Sequence, residues 1–273
     1  MAQPLTARWA ATAVILVIAD SEADAALARH AIMALDGFQP VHGVVMTPDR
    51  PVPDLRSFIA GIARGDLRRV LWQPTGLPPA DEPMLGWADH VIVDSRSVAG
   101  GDGPDGLDGL AALVERSGLR PVTDLAWVDL APWRELVAHL FAGRDFAPFL
   151  GGVRHVRVEG DAGPRTLLAG WLLSRLRLSP GAVEACSGDQ VSVEITAEQG
   201  GRRARFSVTW SADAARLDAR AAVSGGPGHR RHWRPEERST AWLLREALNH
   251  PQADTVYGEA LAAAVALRPA RRR

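Results

Sequence analysis

The chain of 273 residues is 47% hydrophobic and 23% charged, which excludes disorder along its whole length and suffices for one large or two modest domains. A formal net charge of −1 excludes a general attraction to nucleic acid or to an anionic membrane. The single cysteine, Cys186, excludes an intrachain disulfide and a CxxC-type zinc site. All 31 basic residues are Arg, which removes Schiff-base and P-loop lysines.

The first apolar run, Trp9 to Ala19, is too short to span a bilayer. Arg8 is a thin basic flank and Asp20, Ser21 and Glu22 follow at once, so a buried strand feeding a helix describes the run better than a signal peptide. A reducing compartment follows from the lone cysteine, and the cytoplasm fits. Ala13 to Ala19 is β-branched and continuous, the pattern of a parallel strand covered on both faces. Asp20 or Ser21 caps the next helix, whose first turn carries Glu22 and Asp24 and whose stripe is Leu27, Ala31, Ile32 and Leu35. Gly37 stops it, and Val41 to Met46 completes a right-handed βαβ unit.

A second helix is marked by Leu55, Phe58, Ile59 and Ile62, and strands follow at Arg69 to Trp72 and His90 to Asp94. A Gly- and Asp-rich loop, Ala99 to Gly109, precedes a helix around Leu110 to Arg116. Leu125, Trp127 and Leu130 alternate as a short extended stretch. Pro132 then opens a helix with Trp133, Leu136, Val137, Leu140 and Phe141 on one stripe.

The second half begins with a half-exposed strand, Val153 to Val158, and a Gly-Pro break before an apolar helix of Leu167, Leu168, Trp171, Leu172 and Leu176. Val191 to Thr196 and Arg205 to Trp210 alternate around Gly200-Gly201 as a hairpin, and Ala215 to Val223 adds a strand. Ser224 to Arg234 reads as a mobile basic loop, and two helices near Pro235 to Leu248 and Asp254 to Leu267 follow. Arg271 to Arg273 form a solvated basic tail.

The fold class is therefore α/β. An N-terminal open parallel sheet with flanking helices spans residues 1–148, including the Trp-rich connecting helix. A smaller α/β half with a mixed or antiparallel sheet spans 149–273, and the boundary falls within 120–152.

Few residues propose chemistry. The turn Ile18-Ala19-Asp20-Ser21 occupies the phosphate-loop position of a doubly wound domain, yet GxGxxG is absent and its acidic groups repel phosphate. Asp94-Ser95 ends a strand, so Asp20, Asp94 and Ser95 mark a possible ligand end of the sheet, the alternative being capped turns. His229 and His232 would share a face only on a helix, and Arg230, Arg231 and Arg234 repel a cation; no metal is expected. No Gly-x-Ser-x-Gly elbow nominates a nucleophile. His139 flanks an apolar helical stripe, and Cys186 has no activating neighbour in sequence. No catalytic residue and no cofactor are assigned.

The most distinctive segment is Thr123 to Phe141, TDLAWVDLAPWRELVAHLF, whose Trp127, Trp133 and Arg134 have the composition of interface anchors and equally of a packed joint. It resembles the "DL-W--L-PWRE--A-LF" signature of the OpcA family, assembly proteins of glucose-6-phosphate dehydrogenase. VLWQP at Val70 to Pro74, ADHVIVDS at Ala88 to Ser95, LLAGWL at Leu167 to Leu172 and DTVYGEAL at Asp254 to Leu261 resemble further elements of that family, in its order. The loops near Ala99 and Ser224 diverge from it. Cyanobacterial members are linked to thioredoxin control through cysteines, and Cys186 alone excludes an intramolecular thiol switch here.

The resemblance implies a non-catalytic accessory protein of a bacterial cytoplasm that binds glucose-6-phosphate dehydrogenase and promotes its assembly or active conformation. Asp124, Trp127, Trp133 and Arg134 are the residues expected to contact or shape the partner surface. The alternative from another class is a small-molecule enzyme or sensor using the carboxyl ends of the N-terminal parallel strands. Neither nucleic acid nor a membrane is an expected partner.

Overall fold

A computed structural model describes residues 13–36, 41–47, 57, 67–98, 104–226, 228–234 and 238–267. The helix expected around Leu55 to Ile62 lies outside the described residues. So do Arg8, Gly37, Ala99 to Gly103, Pro235 and Arg271 to Arg273. The chain divides into two compact units. The first comprises Met1–Ser97, Leu113–Val128 and Arg238–Ala253; the second comprises Val98–Ala112, Asp129–Glu237 and Asp254–Arg273.

The first unit is built on a five-stranded sheet of β1 (Ala13–Ile18), β2 (Val41–Met46), β3 (Arg68–Trp72), β4 (His90–Val93) and β5 (Val122–Asp124). Its order is β2-β1-β3-β4-β5 and every pairing is parallel. That is the flavodoxin-type doubly wound order, with its switch point between β1 and β3. Ala13 to Val17 are all buried, as a central strand covered on both faces requires.

One covering helix is α1 (Glu22–Asp36), which presents Ala25, Ala28, Ala31 and Leu35 to the core. Leu27 lies off this stripe and is 46% exposed, which corrects the sequence expectation. Small alanines at three- and four-residue spacing let the helix sit close to the strands, and Leu27 falls roughly 100° away from them. α2 (Pro104–Ser117) starts earlier than expected and takes up the second half of the Gly- and Asp-rich stretch.

β5 runs into the short α3 (Leu125–Asp129), so Leu125 and Trp127 are buried on a helical turn and not on an extended segment. α4 (Ala131–Ala142) follows, with Pro132 in its first turn as expected.

The second unit carries a six-stranded mixed sheet of β6 (Val153–Gly160), β7 (Val183–Ser187), β8 (Ser192–Gln199), β9 (Arg202–Ser211), β10 (Arg216–Val223) and β11 (Gly228–Trp233). The order is β11-β10-β9-β8-β6-β7, antiparallel except for the parallel β6–β7 pair. The expected hairpin is present. Gln199 pairs with Arg202, and Gly200 and Gly201 have φ of +58° and +74°, a type I′ turn that other residues enter only with strain.

The expected basic loop is instead β11, antiparallel to β10. Its residues are exposed almost throughout, as on a charged edge strand, so it lacks the apolar alternation by which strands are read. β7 was likewise unforeseen. Gly163 and Pro164 do not break the chain: they form the first turn of α5 (Ala162–Leu176), where a missing N–H goes unnoticed.

One face of the second sheet is apolar. Val156, Val158, Val193, Ile195, Phe206, Val208 and Leu217 are buried, and the Phe141 ring of α4 lies 4.2 Å from that of Phe206. The last two helices are α6 (Thr240–Asn249) and α7 (Thr255–Ala266). α6 belongs to the first unit, capped by Ser239, whose Oγ accepts from the Trp242 N–H at 3.2 Å. Its Leu243, Leu244, Ala247 and Leu248 join Ile15, Val17, Val70, Trp72 and Leu125 in one core. An Arg68 guanidinium N–H reaches the Leu248 carbonyl at the far end of α6, 2.7 Å away, where a cation suits the helix dipole.

α5 packs against α7 at Gly170, where a Cβ would meet the Ala260 carbonyl oxygen and lie 2.6 Å from the Ala264 nitrogen. The two helix backbones approach too closely for a side chain, and neither contact is with a flexible group. Gly170→Ala is therefore expected to destabilise by about 1–3 kcal/mol or more, read as a lowered denaturation midpoint. A midpoint equal to the wild type would show that the α5–α7 approach is not rigid.

Candidate functional site

The carboxyl end of the parallel sheet gathers several of the singled-out residues. Ser21, and not Asp20, caps α1: its Oγ accepts from the Asp24 N–H at 3.1 Å. Asp20 is exposed and accepts instead from Gln73 Nε2 at 3.2 Å, across the β1–β3 switch point. Gln73 is only 2% exposed, and its Nε2 also donates to the Thr75 carbonyl at 3.0 Å. Its Oε1 and the Thr75 hydroxyl are buried without a hydrogen-bond partner among the described residues. Sequence reading missed this pair, for which a Gln directly after a buried parallel strand was the available signal.

Asp94 faces a cation. Its carboxylate accepts from the Arg96 N–H at 3.1 Å and from the Arg96 guanidinium at 2.7 Å. Ser95 is buried, and its N–H donates to Asp124 Oδ1 at 3.0 Å. The same oxygen accepts from the Ala126 N–H at 3.0 Å, an Asx turn that closes β5 onto α3. Asp124 is thus a wholly buried tie between the β4 and β5 ends, and it is not a surface side chain. Burial, aided by the nearby Asp94 charge and opposed by these hydrogen bonds, pushes its carboxyl up to about 6.

His90, at the start of β4, is its counterpart. The ring is buried, with Nε2 2.9 Å from the Thr123 hydroxyl, and desolvation lowers its pKa to about 4 with a smaller contribution from Arg68.

The remaining members of the Trp-rich segment divide between the two units. Trp127, in the first unit, is 4% exposed. Trp133 and Arg134, in the second, are half-buried on the first turns of α4. The Trp133 indole N–H donates to the Val191 carbonyl at 3.4 Å. Trp127 and Asp124 therefore shape the backbone that precedes α4, and Trp133 and Arg134 are the members with surface of their own.

The other candidates resolve into structural roles. His229 and His232 lie on a strand three residues apart, hence on opposite faces, where they cannot share one metal ion. His232 Nδ1 is 2.5 Å from Asp218 Oδ1, and His229 lies against the Phe146 ring. Among the described residues no group of three His, Cys, Asp or Glu side chains is placed to hold a metal. His139 is exposed, its Nδ1–H donating to the Glu135 carbonyl at 2.8 Å. Cys186 is pushed above the usual thiol range by the neighbouring Glu184 carboxylate, the opposite of an activated thiolate. No described helix is long and apolar enough to cross a membrane.

A protein-family profile described as the C-terminal domain of a glucose-6-phosphate dehydrogenase subunit matches residues 120–261, just over half of the chain. Among curated proteins, the chain is similar to a protein named "Putative OxPP cycle protein OpcA" from Synechocystis sp. It is 33% identical to that protein over 100 residues, covering 36% of this chain and 20% of the relative. The chain thus spans about a fifth of the length of that relative. Among solved structures, the homoserine dehydrogenase of Staphylococcus aureus aligns with 87% of this chain and 75% of its own, at 9% identity and a TM-score of 0.27, too low to carry an argument.

The two buried titratable groups pull stability in opposite directions. Asp124 has a higher pKa folded than unfolded, so its contribution is present at low pH and is lost as pH rises from about 4 through 6. His90 has a lower pKa folded, so its contribution is present above pH 6.5 and is lost as pH falls toward 4. Each displacement corresponds to roughly 3 kcal/mol, and the two act in opposite senses as pH changes. Asp124→Asn keeps the acceptor oxygen but removes one partner of this balance. Denaturant midpoints of that variant are expected to fall on acidification from pH 6.5 to 4 more steeply than those of the wild type. Parallel curves for the two proteins would refute the opposition.

Proposed function

The chain belongs to the family defined by the C-terminal domain of a glucose-6-phosphate dehydrogenase subunit, so its role is tied to that enzyme, and we propose that it is a non-catalytic accessory protein which binds the dehydrogenase and promotes its assembly or active conformation. The observation that carries this reading is the family match over residues 120–261. That range includes Asp124, Trp127, Trp133 and Arg134, and the curated relative's name points to the same oxidative pentose phosphate route. The place of action is the bacterial cytoplasm, where the dehydrogenase works.

The mechanism is a population shift. A partner that binds the active oligomer more tightly than the inactive species moves the equilibrium by its differential affinity, and equal affinity for both would move nothing. Binding energy at protein interfaces concentrates in aromatic and Arg anchors. Trp133 and Arg134 provide one of each on neighbouring positions of α4, held by the Trp133 hydrogen bond to Val191. Trp127 and Asp124 act through the backbone they fix.

A second reading rests on the unpartnered Gln73 Oε1 and Thr75 Oγ1 at the switch point, where open α/β sheets bind small ligands. Thermal stabilisation by neutral sugars or nucleosides without the dehydrogenase, lost in Gln73→Leu, would favour that reading.

The main test mixes the protein with glucose-6-phosphate dehydrogenase of the same organism and follows activity and complex size. Both are expected to rise, and Arg134→Ala and Trp133→Ala are each expected to raise the half-maximal concentration by about tenfold. Full activation by folded Arg134→Ala and Trp133→Ala proteins would remove α4 from the interface. The absence of any binding between folded partners would remove the proposal itself.

A further inference from the structure

The charged face of the second sheet contains a cavity that the partner-binding reading does not use. It has a volume of about 510 Å³ and opens beside the β8–β9 hairpin. A smaller cavity of about 400 Å³ adjoins it and shares Arg154, Glu198 and Arg203. The register explains why a depression forms here. Thr196 of β8 pairs with Arg205 of β9, which pairs in turn with Ala222 of β10, opposite Gly228 of β11. The long Arg205 side chain thus stands next to the single methyl group of Ala222, beyond which Gly228 has no side chain, while Arg203 stands between Glu198 and Ser224.

A third arginine is delivered by an irregularity. The β6–β8 pairing steps from Val153–Ala197 to His155–Thr196, which leaves Arg154 as the extra residue of a bulge. Bulges re-aim side chains, and this one places Arg154 in the wall of the cavity. Arg203 has a carboxylate partner in Glu198 at 2.7 Å, and Arg205 has one in Glu194 at 3.0 Å. Arg154 has no ion-pair or hydrogen-bond partner among the described residues. Both paired guanidinium groups are largely exposed and keep N–H groups unused, since each offers five. Glu198 is the one carboxylate in the lining, against three guanidinium groups, and the Thr196 and Ser224 hydroxyls complete the polar wall.

We propose that this cavity is a binding site for a small phosphorylated molecule, whose phosphoryl group is held by Arg154 with Arg205 and Arg203. Planar guanidinium forks match phosphate oxygens bidentately, and three of them converging with hydroxyl donors favour a dianion over a monoanionic carboxylate. The site lies within the second unit and is independent of the dehydrogenase interface proposed above.

The test is a titration of inorganic phosphate, with acetate for comparison, into the 273-residue chain at low ionic strength, followed by calorimetry and thermal stability. Saturable binding of phosphate is expected, with acetate at least tenfold weaker. Arg154→Ala and Arg205→Ala should each weaken phosphate by tenfold or more, with Arg154→Lys intermediate. Arg231→Ala, on the opposite face of β11, should leave affinity unchanged. Phosphate binding that never saturates, is matched by acetate, or weakens equally in Arg231→Ala would reduce the site to general electrostatic attraction and overturn the assignment. No phosphate binding at all would overturn it as well.

Discussion

A parallel strand with no polar side must be covered on both faces, and much of the first unit follows from that constraint. Ala13 to Val17 are sealed from water, and the local sequence supplies α1 to cover them. The remaining cover includes α6, more than two hundred residues later in the chain. Its leucines pack into the same core as Ile15, Val17 and Trp72, and Arg68 of β3 fixes its last turn. Removing apolar surface from water is worth roughly 25 cal/mol per Å², which outweighs the entropy of closing so long a loop because that entropy grows only with the logarithm of loop length.

Burial also decides what the polar residues of the first unit can do. Asp124 lies in the segment that most distinguishes this sequence, and its carboxylate ties Ser95 to Ala126 inside the protein. His90 sits nearby on β4, neutral and bonded to Thr123. Both are held in the form that desolvation favours, one protonated more readily than usual and the other less. The segment therefore joins two roles in a single run: a polar clasp inside the first unit, then a helix whose Trp133 and Arg134 reach the surface of the second.

The second unit solves the covering problem differently. An antiparallel sheet needs only one apolar face, so its other face is free to carry charge. That face holds a series of paired charges: Arg157 with Glu159, Arg205 with Glu194, Arg203 with Glu198, and Asp218 with Arg216 and His232. Arg154 stands out because a bulge, and not the regular alternation, sets its position. The binding site proposed at this face depends on such a departure from regularity. A regular ladder places side chains in evenly spaced rows, and a convergent site needs one of them displaced.

Period and composition determined the elements that carry strong local signals. A continuous β-branched run gave β1, short apolar runs between turns gave β2, β3 and β4, paired glycines gave the β8–β9 turn, and Pro132 gave the start of α4. The family resemblance was legible in the same stretches, because signatures such as LLAGWL record contacts: its Gly170 is the point where α5 and α7 nearly touch. Only the tertiary structure decided that Ser224 to Arg234 contains a strand, since an exposed edge takes its hydrogen bonds from a neighbour and needs no apolar pattern of its own. It alone decided that Asp124 and Trp127 are interior and that Gln73 meets Asp20. It also decided that Arg154 joins Arg203 and Arg205, because those relations join residues far apart in the chain and depend on sheet register and burial, which spacing along a sequence does not encode.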